Sequence, residues 1–114
     1  MLPTPRMTTQ TLAVIATLLG APDSELYGLD LAKRSGLRPG TIYPILDRLL
    51  KAGWLERRWE EIDPVAAGRP RRRLYRLTAE GAPIAREALD AHLASLRPAP
   101  EPRAIGPTAR PHLA

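Results

Sequence analysis

The densest charge in the sequence is a run of arginines between positions 69 and 76. Five positive charges fall within eight residues and no acidic residue interrupts them: Arg69, Arg71, Arg72, Arg73 and Arg76. Like charges held this close repel one another, and a phosphate backbone would relieve that repulsion. The alternative is that Glu60, Glu61 and Asp63 neutralise the arginines across a hairpin. Three acids cannot balance five arginines, so we expect a net positive charge to remain.

A second candidate surface lies on an amphipathic helix that begins near Pro39–Thr41 and ends at Gly53. At about 100° per residue, its apolar residues gather on one side: Ile42, Ile45, Leu46, Leu49 and Leu50. The other side carries Thr41, Pro44, Asp47, Arg48 and Lys51, with Tyr43 on the border. Such a face fits the major groove of DNA, where base edges are displayed. The alternative, which the acidic Asp47 favours, is an ordinary surface helix with solvated charges.

The elements that position these two surfaces are predicted in the order helix, helix, helix, strand, loop, strand, helix. The second helix is predicted over about Gly28–Arg34, and Gly36 terminates it. A tight turn then leads into the third helix. Two helices joined by a short turn that contains glycine are typical of a helix-turn-helix. The segment Leu26–Tyr27 is either a short strand or the start of the second helix.

The arginine run belongs to a predicted hairpin. Strands are expected at Trp54–Trp59 and Arg73–Leu77, with a long loop rich in proline and glycine between them. Trp54 is expected in the core and Trp59 at least partly exposed.

The first and last helices predict a pairing of two chains. The first helix, Thr9–Leu19, is expected to have an apolar face formed by Leu12, Ile15, Ala16, Leu18 and Leu19. The opposite face is uncharged as well, so we expect this helix to be buried on more than one side, with another subunit as the second contact. The last helix, about Ala79–Arg97, carries one apolar stripe on which Leu89 and Leu96 are the strongest interface candidates. The alternative is that it folds back on its own domain. Within the stripe, His92 is either a pH or ligand sensor or a hydrogen-bonded interface histidine.

Composition limits the other possibilities. The chain has 114 residues, a formal net charge of +5, two histidines and no cysteine. Disulfides, thiol nucleophiles and cysteine-ligated metals are therefore excluded, and a three-histidine metal site cannot form within one chain. No apolar run is long enough to span a bilayer and no cleavable signal pattern is present, so we expect a cytoplasmic protein with no membrane partner. Serines lack a histidine and a carboxylate at usable spacing, which argues against an enzyme.

Two stretches resemble a known family. They are Gly40-Thr-Ile-Tyr-Pro-Ile-Leu-Asp-Arg-Leu-Leu-Lys-Ala-Gly-Trp-Leu-Glu56 and Gly68-Arg-Pro-Arg-Arg-Arg-Leu-Tyr-Arg-Leu-Thr-Ala-Glu-Gly81. Together with Tyr27-Gly-Leu29 they resemble the PadR family of bacterial transcriptional regulators over about Thr8–Leu96. The MarR family shares the charged hairpin and the Leu-Thr-x-x-Gly pattern, but it lacks Thr-Ile-Tyr-Pro.

The resemblance implies a mainly α-helical winged helix-turn-helix with a small β-hairpin and one C-terminal dimerisation helix. It also implies a homodimer that binds a palindromic operator in double-stranded DNA, usually as a repressor. The predicted organisation is a flexible segment 1–7, a DNA-binding domain 8–77, a dimerisation helix 78–97 and a disordered proline-rich tail 98–114. Some family members bind planar aromatic compounds with a stacking aromatic on the last helix. This chain has none there, so a small-molecule effector is unsupported, and no cofactor is expected.

These arguments give two sets of candidate residues. The DNA-binding set is Arg38, Thr41, Tyr43, Pro44, Arg48, Lys51, Arg69, Arg71, Arg72 and Arg73. The dimer-interface set is Leu12, Val14, Ala85, Leu89, His92, Leu93 and Leu96. A second hypothesis is a winged-helix protein-interaction module that does not bind an operator and recruits partners through its proline-rich tail.

Overall fold

The computed structural model describes residues 2–21 and 24–100. Its helices are α1 (Thr9–Leu19), α2 (Gly28–Ser35), α3 (Pro39–Lys51), α4 (Pro64–Ala67) and α5 (Gly81–Ser95). Its strands are β1 (Leu26–Tyr27), β2 (Leu55–Trp59) and β3 (Arg73–Leu77). The predicted order of helices and strands is confirmed. One element was not predicted: the single-turn helix α4 lies inside the long loop between β2 and β3.

The helix-turn-helix is formed by α2 and α3. Helix α2 ends because Gly36 adopts a left-handed conformation with φ of 75°, which glycine tolerates without strain. Leu37 then donates its backbone N–H to Ala32 O at 2.9 Å and closes the turn. Pro39 begins α3, a position where its missing N–H loses no hydrogen bond.

The sheet has three antiparallel strands in the order β1-β3-β2. Strands β2 and β3 pair along their full length, from Leu55 opposite Leu77 to Trp59 opposite Arg73. The segment Leu26–Tyr27 is a strand, which pairs with the other edge of β3 through Leu26 opposite Tyr75. The predicted hairpin is therefore joined along one edge to the segment that leads into α2.

The core is aliphatic and is centred on α1, α3 and the start of β2. Its largest fully buried side chains include Trp54, Ile15, Leu31 and Leu49. Trp54 is buried as predicted. Gly81 begins α5 against the backbone of Trp54, where a Cβ would lie 2.4 Å from the Trp54 carbonyl oxygen, so no side chain fits.

One prediction about α1 is wrong. The apolar face was expected to include Ala16, but Ala16 is exposed, whereas Thr11 and Val14 are buried. On the second face of α1, Val14 is covered by this chain's own helices, because α1 contacts α2, α3 and α5. Gln10 on that face is exposed and Ala13 and Thr17 are half-buried, so its contact with another subunit stays a prediction. Leu12, Val14 and Ala85 are buried within the subunit, so they do not form the exposed part of a dimer interface.

The segment before α1 lies against the domain instead of leaving it. Leu2 and Met7 pack on the core, and the indole Nε1 of Trp54 donates to Pro3 O at 2.9 Å. These contacts differ from the frayed segment expected for residues 1–7. At the other end, residues 98–100 form no helix or strand, and the rest of the predicted tail lies outside the described residues.

Helix α5 is partly docked on its own domain. Ile84, Ala88 and Leu89 pack against the core, which agrees with the alternative in which this helix folds back. Its last turns do not, because Leu93 and Leu96 are 53% and 64% exposed. In the part of the chain that the structure describes, no helix is long and apolar enough to cross a membrane.

Candidate nucleic-acid interface

The exposed face of α3 consists of the polar residues expected there. Ile42, Ile45 and Leu49 are buried, and this fixes which side of the helix faces outward. The outward residues are Thr41, Tyr43, Pro44, Asp47, Arg48 and Lys51, and Arg38 is exposed just before the helix. Asp47 pairs with Lys51 at 2.9 Å, so the one acidic group on this face is bound to a neighbouring cation. Arg48 and Arg38 keep the face cationic.

Tyr43 is positioned by close contact with α2. A Cβ built on Gly28 would lie 2.6 Å from the Tyr43 hydroxyl and 2.6 Å from its Cε1 atom. The tyrosine ring therefore lies directly on the backbone at the start of α2. Any residue other than glycine at position 28 would displace it.

The wing, defined here as residues 55–77, contains two kinds of arginine. Arginines of the first kind are held by carboxylates. Arg69 donates to both carboxylate oxygens of Glu60, at 2.6 and 3.0 Å, Arg58 likewise to Glu25 at 2.6 and 2.7 Å, and Arg76 to Glu56 at 2.5 Å. These pairs brace the wing at several points, and within each pair the two charges largely offset each other.

The ion pairs shift the pKa of the acids that form them. The hydrogen bonds from Arg69 lower the pKa of Glu60, and those from Arg58 lower the pKa of Glu25. In return, the bond to Glu60 raises the pKa of Arg69. Both acids are therefore ionised at neutral pH, and Arg69, predicted as a DNA contact, is tied to Glu60.

Four arginines of the second kind have no carboxylate partner among the described residues: Arg57, Arg71, Arg72 and Arg73. Arg57 is exposed on β2, and the other three make further contacts. Arg71 donates from Nε to Ile62 O at 3.0 Å. The guanidinium carbon of Arg72 lies 4.2 Å from the centre of the Tyr27 ring, and that of Arg73 lies 4.1 Å from the Trp59 ring. The side chains of Arg71, Arg72 and Arg73 are therefore oriented by contacts that include no carboxylate.

The two surfaces meet in a cleft of about 540 Å³ between α2, α3 and the wing. Tyr43 lines it from α3, Lys33 from α2, and Arg71, Arg72 and Arg73 from the wing. Asp30 also lines the cleft, but it pairs with Arg34 at 3.0 Å. The cleft is therefore strongly cationic. A polyanion is the partner that this charge favours.

The cleft also contains residues that sequence reasoning missed. Tyr27, Lys33 and Trp59 line it, and none was a candidate for DNA binding. Trp59 could have been suspected from its place at the exposed end of a predicted strand. Tyr27 could not, since its contact with Arg72 spans 45 positions and depends on the pairing of β1 with β3.

Nothing among residues 2–21 and 24–100 suggests a metal centre, since no group of three or more histidine and acidic side chains is close enough to hold an ion. The predicted interface histidine, His92, is half-buried on α5. It lies outside the cleft lining.

The arrangement of helix-turn-helix and wing defines a winged-helix protein, and solved structures agree. The chain resembles the transcriptional regulator PcaV from Streptomyces coelicolor, solved with its natural ligand, at 28% identity, with a TM-score of 0.64 over 81% of this chain and 59% of PcaV. Reduced AbfR bound to DNA aligns at 23% identity and a TM-score of 0.62, over 83% of this chain and 62% of AbfR. The S. aureus MepR–DNA complex aligns at 19% identity and a TM-score of 0.60, over 79% of this chain and 67% of MepR. The chain thus spans about three-fifths of PcaV and of AbfR.

The family follows from a sequence comparison. A family model described as the transcriptional regulator PadR-like family matches residues 18–87, which is more than half of the 114 residues. The chain belongs to this PadR-like family of transcriptional regulators. A comparison with curated proteins found no match.

Proposed function

We propose that this protein is a sequence-specific DNA-binding transcriptional regulator that acts as a homodimer on a palindromic operator, as a repressor. One observation carries the proposal: Tyr43, which belongs to the outward face of α3, lines the same cationic cleft as three arginines that have no carboxylate partner among the described residues. Membership of a regulator family and the likeness to winged-helix structures solved with DNA support it.

Helix α3 is proposed to enter the major groove. An α-helix fits that groove, and each base pair displays there a distinct pattern of donors and acceptors. Thr41, Tyr43 and Pro44 lie on the first two turns of the exposed face, the part of a recognition helix that contacts bases in helix-turn-helix proteins. Arg38, Arg48 and Lys51 extend along the same side and are proposed to contact phosphates.

The wing is proposed to supply phosphate contacts through Arg71, Arg72 and Arg73. Arg69 takes a different role in this proposal, since its guanidinium is bound to Glu60 and holds the loop in place. Phosphate contacts give affinity without sequence preference, whereas base contacts give specificity. The two parts of the interface therefore predict different mutational effects.

The second subunit is proposed to pack on the exposed end of α5. Leu93 and Leu96 are exposed there, and half-buried Leu89 and His92 continue the same stripe. A two-fold axis through this region would present two copies of α3 to a palindromic site, as in other dimeric helix-turn-helix proteins.

The test is duplex binding as a function of salt. Binding sites are first selected from random duplex DNA, and affinity is then measured by fluorescence anisotropy at several salt concentrations. Replacing Arg71, Arg72 and Arg73 together with alanine should weaken binding to every duplex and flatten the slope of log affinity against log salt by about 3 for each subunit.

The matched control removes charge outside the cleft by Arg86→Ala and Arg97→Ala, and its slope should stay unchanged. A triple variant with the slope of the unmodified protein would refute wing contact, and failure of the unmodified protein to bind any duplex would refute the function.

A further inference from the structure

We propose that Tyr27 and Trp59 are positioning residues, whose rings hold Arg72 and Arg73 ready for phosphate without cancelling their charge. The inference rests on the proposed function, since it explains how the wing would contact DNA. It adds two residues that the DNA-binding candidates do not include.

The contrast between the two kinds of wing arginine carries the argument. A carboxylate orients an arginine but also neutralises it, as Glu60 does for Arg69 and Glu56 for Arg76. An aromatic face attracts a guanidinium through the ring quadrupole and carries no net charge. An arginine stacked on a ring is therefore both ordered and available to an anion.

The sheet places one ring on each side of β3. Trp59 lies directly opposite Arg73 across the β2–β3 ladder, so the stacked pair consists of cross-strand neighbours. Tyr27 belongs to β1, on the other edge of β3, and it holds Arg72, which precedes β3. Two consecutive arginines thus stack on rings from the two strands that flank the central strand.

Other partners for these cations are lacking among the described residues. The Nε atom of Arg73 is buried with no hydrogen-bond acceptor, and neither Arg72 nor Arg73 forms an ion pair there. Stacking is therefore the main contact that orients each guanidinium. Trp59 remains 54% exposed, although it is the larger of the two aromatic side chains that hold arginines. The other tryptophan, Trp54, is fully buried in the core. A role in holding Arg73 at the surface explains why Trp59 is not buried as well.

The functional gain is preorganisation. A free arginine side chain loses rotamer freedom when it binds a phosphate, and a side chain already held in place loses less. The strength of an exposed cation–π contact corresponds to about a two- to fivefold change in affinity for each subunit. The charge is unchanged when only the ring is removed, so the salt dependence should change little.

The experiment is a double-mutant cycle on duplex affinity in the full chain. Trp59→Leu should weaken duplex binding about two- to fivefold per subunit. Trp59→Phe keeps an aromatic ring and should retain most of the affinity of the unmodified chain. In a chain that already carries Arg73→Ala, Trp59→Leu should have no further effect on affinity. Tyr27→Leu and Arg72→Ala should behave in the same way, while the crossed pair of Trp59 with Arg72 should show no coupling. Val65→Ser, at an apolar wing position that is 89% exposed, is the control and should change nothing.

Two results would overturn the inference while leaving the function intact. One is duplex affinity that does not change in either leucine variant. The other is a Trp59→Leu effect as large with Arg73→Ala as without it, since this would mean that the ring contacts DNA directly. A chain that binds no duplex at all would refute the proposed function, and the inference with it.

A measurement on the unmodified chain covers the case in which a leucine variant fails to fold. Ring currents from Tyr27 and Trp59 should move the side-chain proton resonances of Arg72 and Arg73 upfield in NMR spectra. Arg57 and Arg71, which stack on no ring among the described residues, are the internal reference. Resonances of Arg72 and Arg73 that coincide with the reference would contradict the stacking.

Discussion

Tyr43 owes its position on the outward side of α3 to a glycine on another helix. A Cβ on Gly28 would lie only 2.6 Å from the ring and the hydroxyl of Tyr43, which is too close for a side chain to fit without moving the tyrosine. The contact explains why Tyr43 projects into the cleft although it lies at the border of the exposed face. A residue in α2 thus determines the position of a side chain that is proposed to contact DNA.

Gly28→Ala is therefore expected to weaken DNA binding without unfolding the protein. Gly28 has no left-handed φ, so the backbone accepts alanine, and the tyrosine ring can swing toward solvent. We expect a loss of about 1 kcal/mol of binding free energy per subunit, the value of one hydrogen bond, and little change in unfolding free energy. Anisotropy and urea unfolding measure the two quantities.

Gly20→Ala is the matched control, because Gly20 also lacks a left-handed φ and its added Cβ would make only 3.4 Å contacts within α1. Duplex affinity should not change in this variant. An affinity for Gly28→Ala equal to that of the unmodified protein would contradict the role of Tyr43.

Among the larger elements, the segment before α1 acts as a cover for the core. Removing the residues before Arg6 should leave the indole N–H of Trp54 without its acceptor at Pro3 and expose the core surface under Leu2. We expect a loss of about 1–3 kcal/mol in unfolding free energy and a red shift of tryptophan emission. Urea unfolding and fluorescence measure both effects.

Pro3→Ala controls for the truncation. The acceptor is the backbone carbonyl of Pro3, which alanine retains, so this variant should unfold close to the unmodified protein. If the truncated chain were also as stable as the unmodified chain, the covering role would be wrong.

Two ion pairs of the wing, Glu25–Arg58 and Glu60–Arg69, predict a pH dependence. The pKa values of Glu25 and Glu60 are lowered from 4.5 by hydrogen bonds from Arg58 and Arg69. An acid whose pKa is lowered in the folded state stabilises the fold at every pH above its ordinary pKa of 4.5. This stabilisation is lost as the pH falls below about 4.5 and through the lower pKa of the folded state. The unfolding temperature should therefore fall more steeply in acid for the unmodified chain than for a Glu25→Gln, Glu60→Gln variant.

The effect should be small and weaker in high salt, because both pairs remain partly accessible to solvent. Glu87→Gln, which removes an exposed acid that forms no ion pair among the described residues, should follow the unmodified chain. Parallel profiles for the unmodified chain and the double variant would show that these pairs do not stabilise the wing.

The elements were predictable where their causes are local. Periodic apolar residues, Gly36, Pro39 and the alternating strands fix α2, α3 and the β2–β3 pair, and the structure confirms them. The second face of α1 was not predictable, because residues distant in sequence cover Val14. The same holds for the docking of Leu2 and Pro3 and for the stack of Arg72 on Tyr27. The exposed side of α3 could be predicted from periodicity alone, whereas the sorting of the wing arginines depends on the three-dimensional positions of their partners.

For the molecule as a whole, the exposed end of α5 predicts self-association. Replacing Leu93 and Leu96 with aspartate should give a folded monomer, since both side chains are exposed and the core does not depend on them. The loss of one of two linked half-site contacts should reduce operator affinity by at least about 100-fold. Sedimentation velocity and anisotropy measure mass and affinity.

Val65→Asp places one aspartate, against two in the interface variant, at another exposed apolar position and should leave the dimer intact. The proposed interface would be wrong if the unmodified chain sedimented as a monomer, or if the aspartate variant remained a dimer.

The central claim is that one face of the molecule, formed by α3 and the wing, contacts duplex DNA. NMR resonance mapping of the isotope-labelled chain, titrated with a selected duplex, tests it most directly. The account predicts that resonances of Thr41, Tyr43, Arg48 and Arg71–Arg73 change on binding, while those of Arg86 on α5 do not. Changes confined to α5, or no change at any duplex concentration, would contradict it.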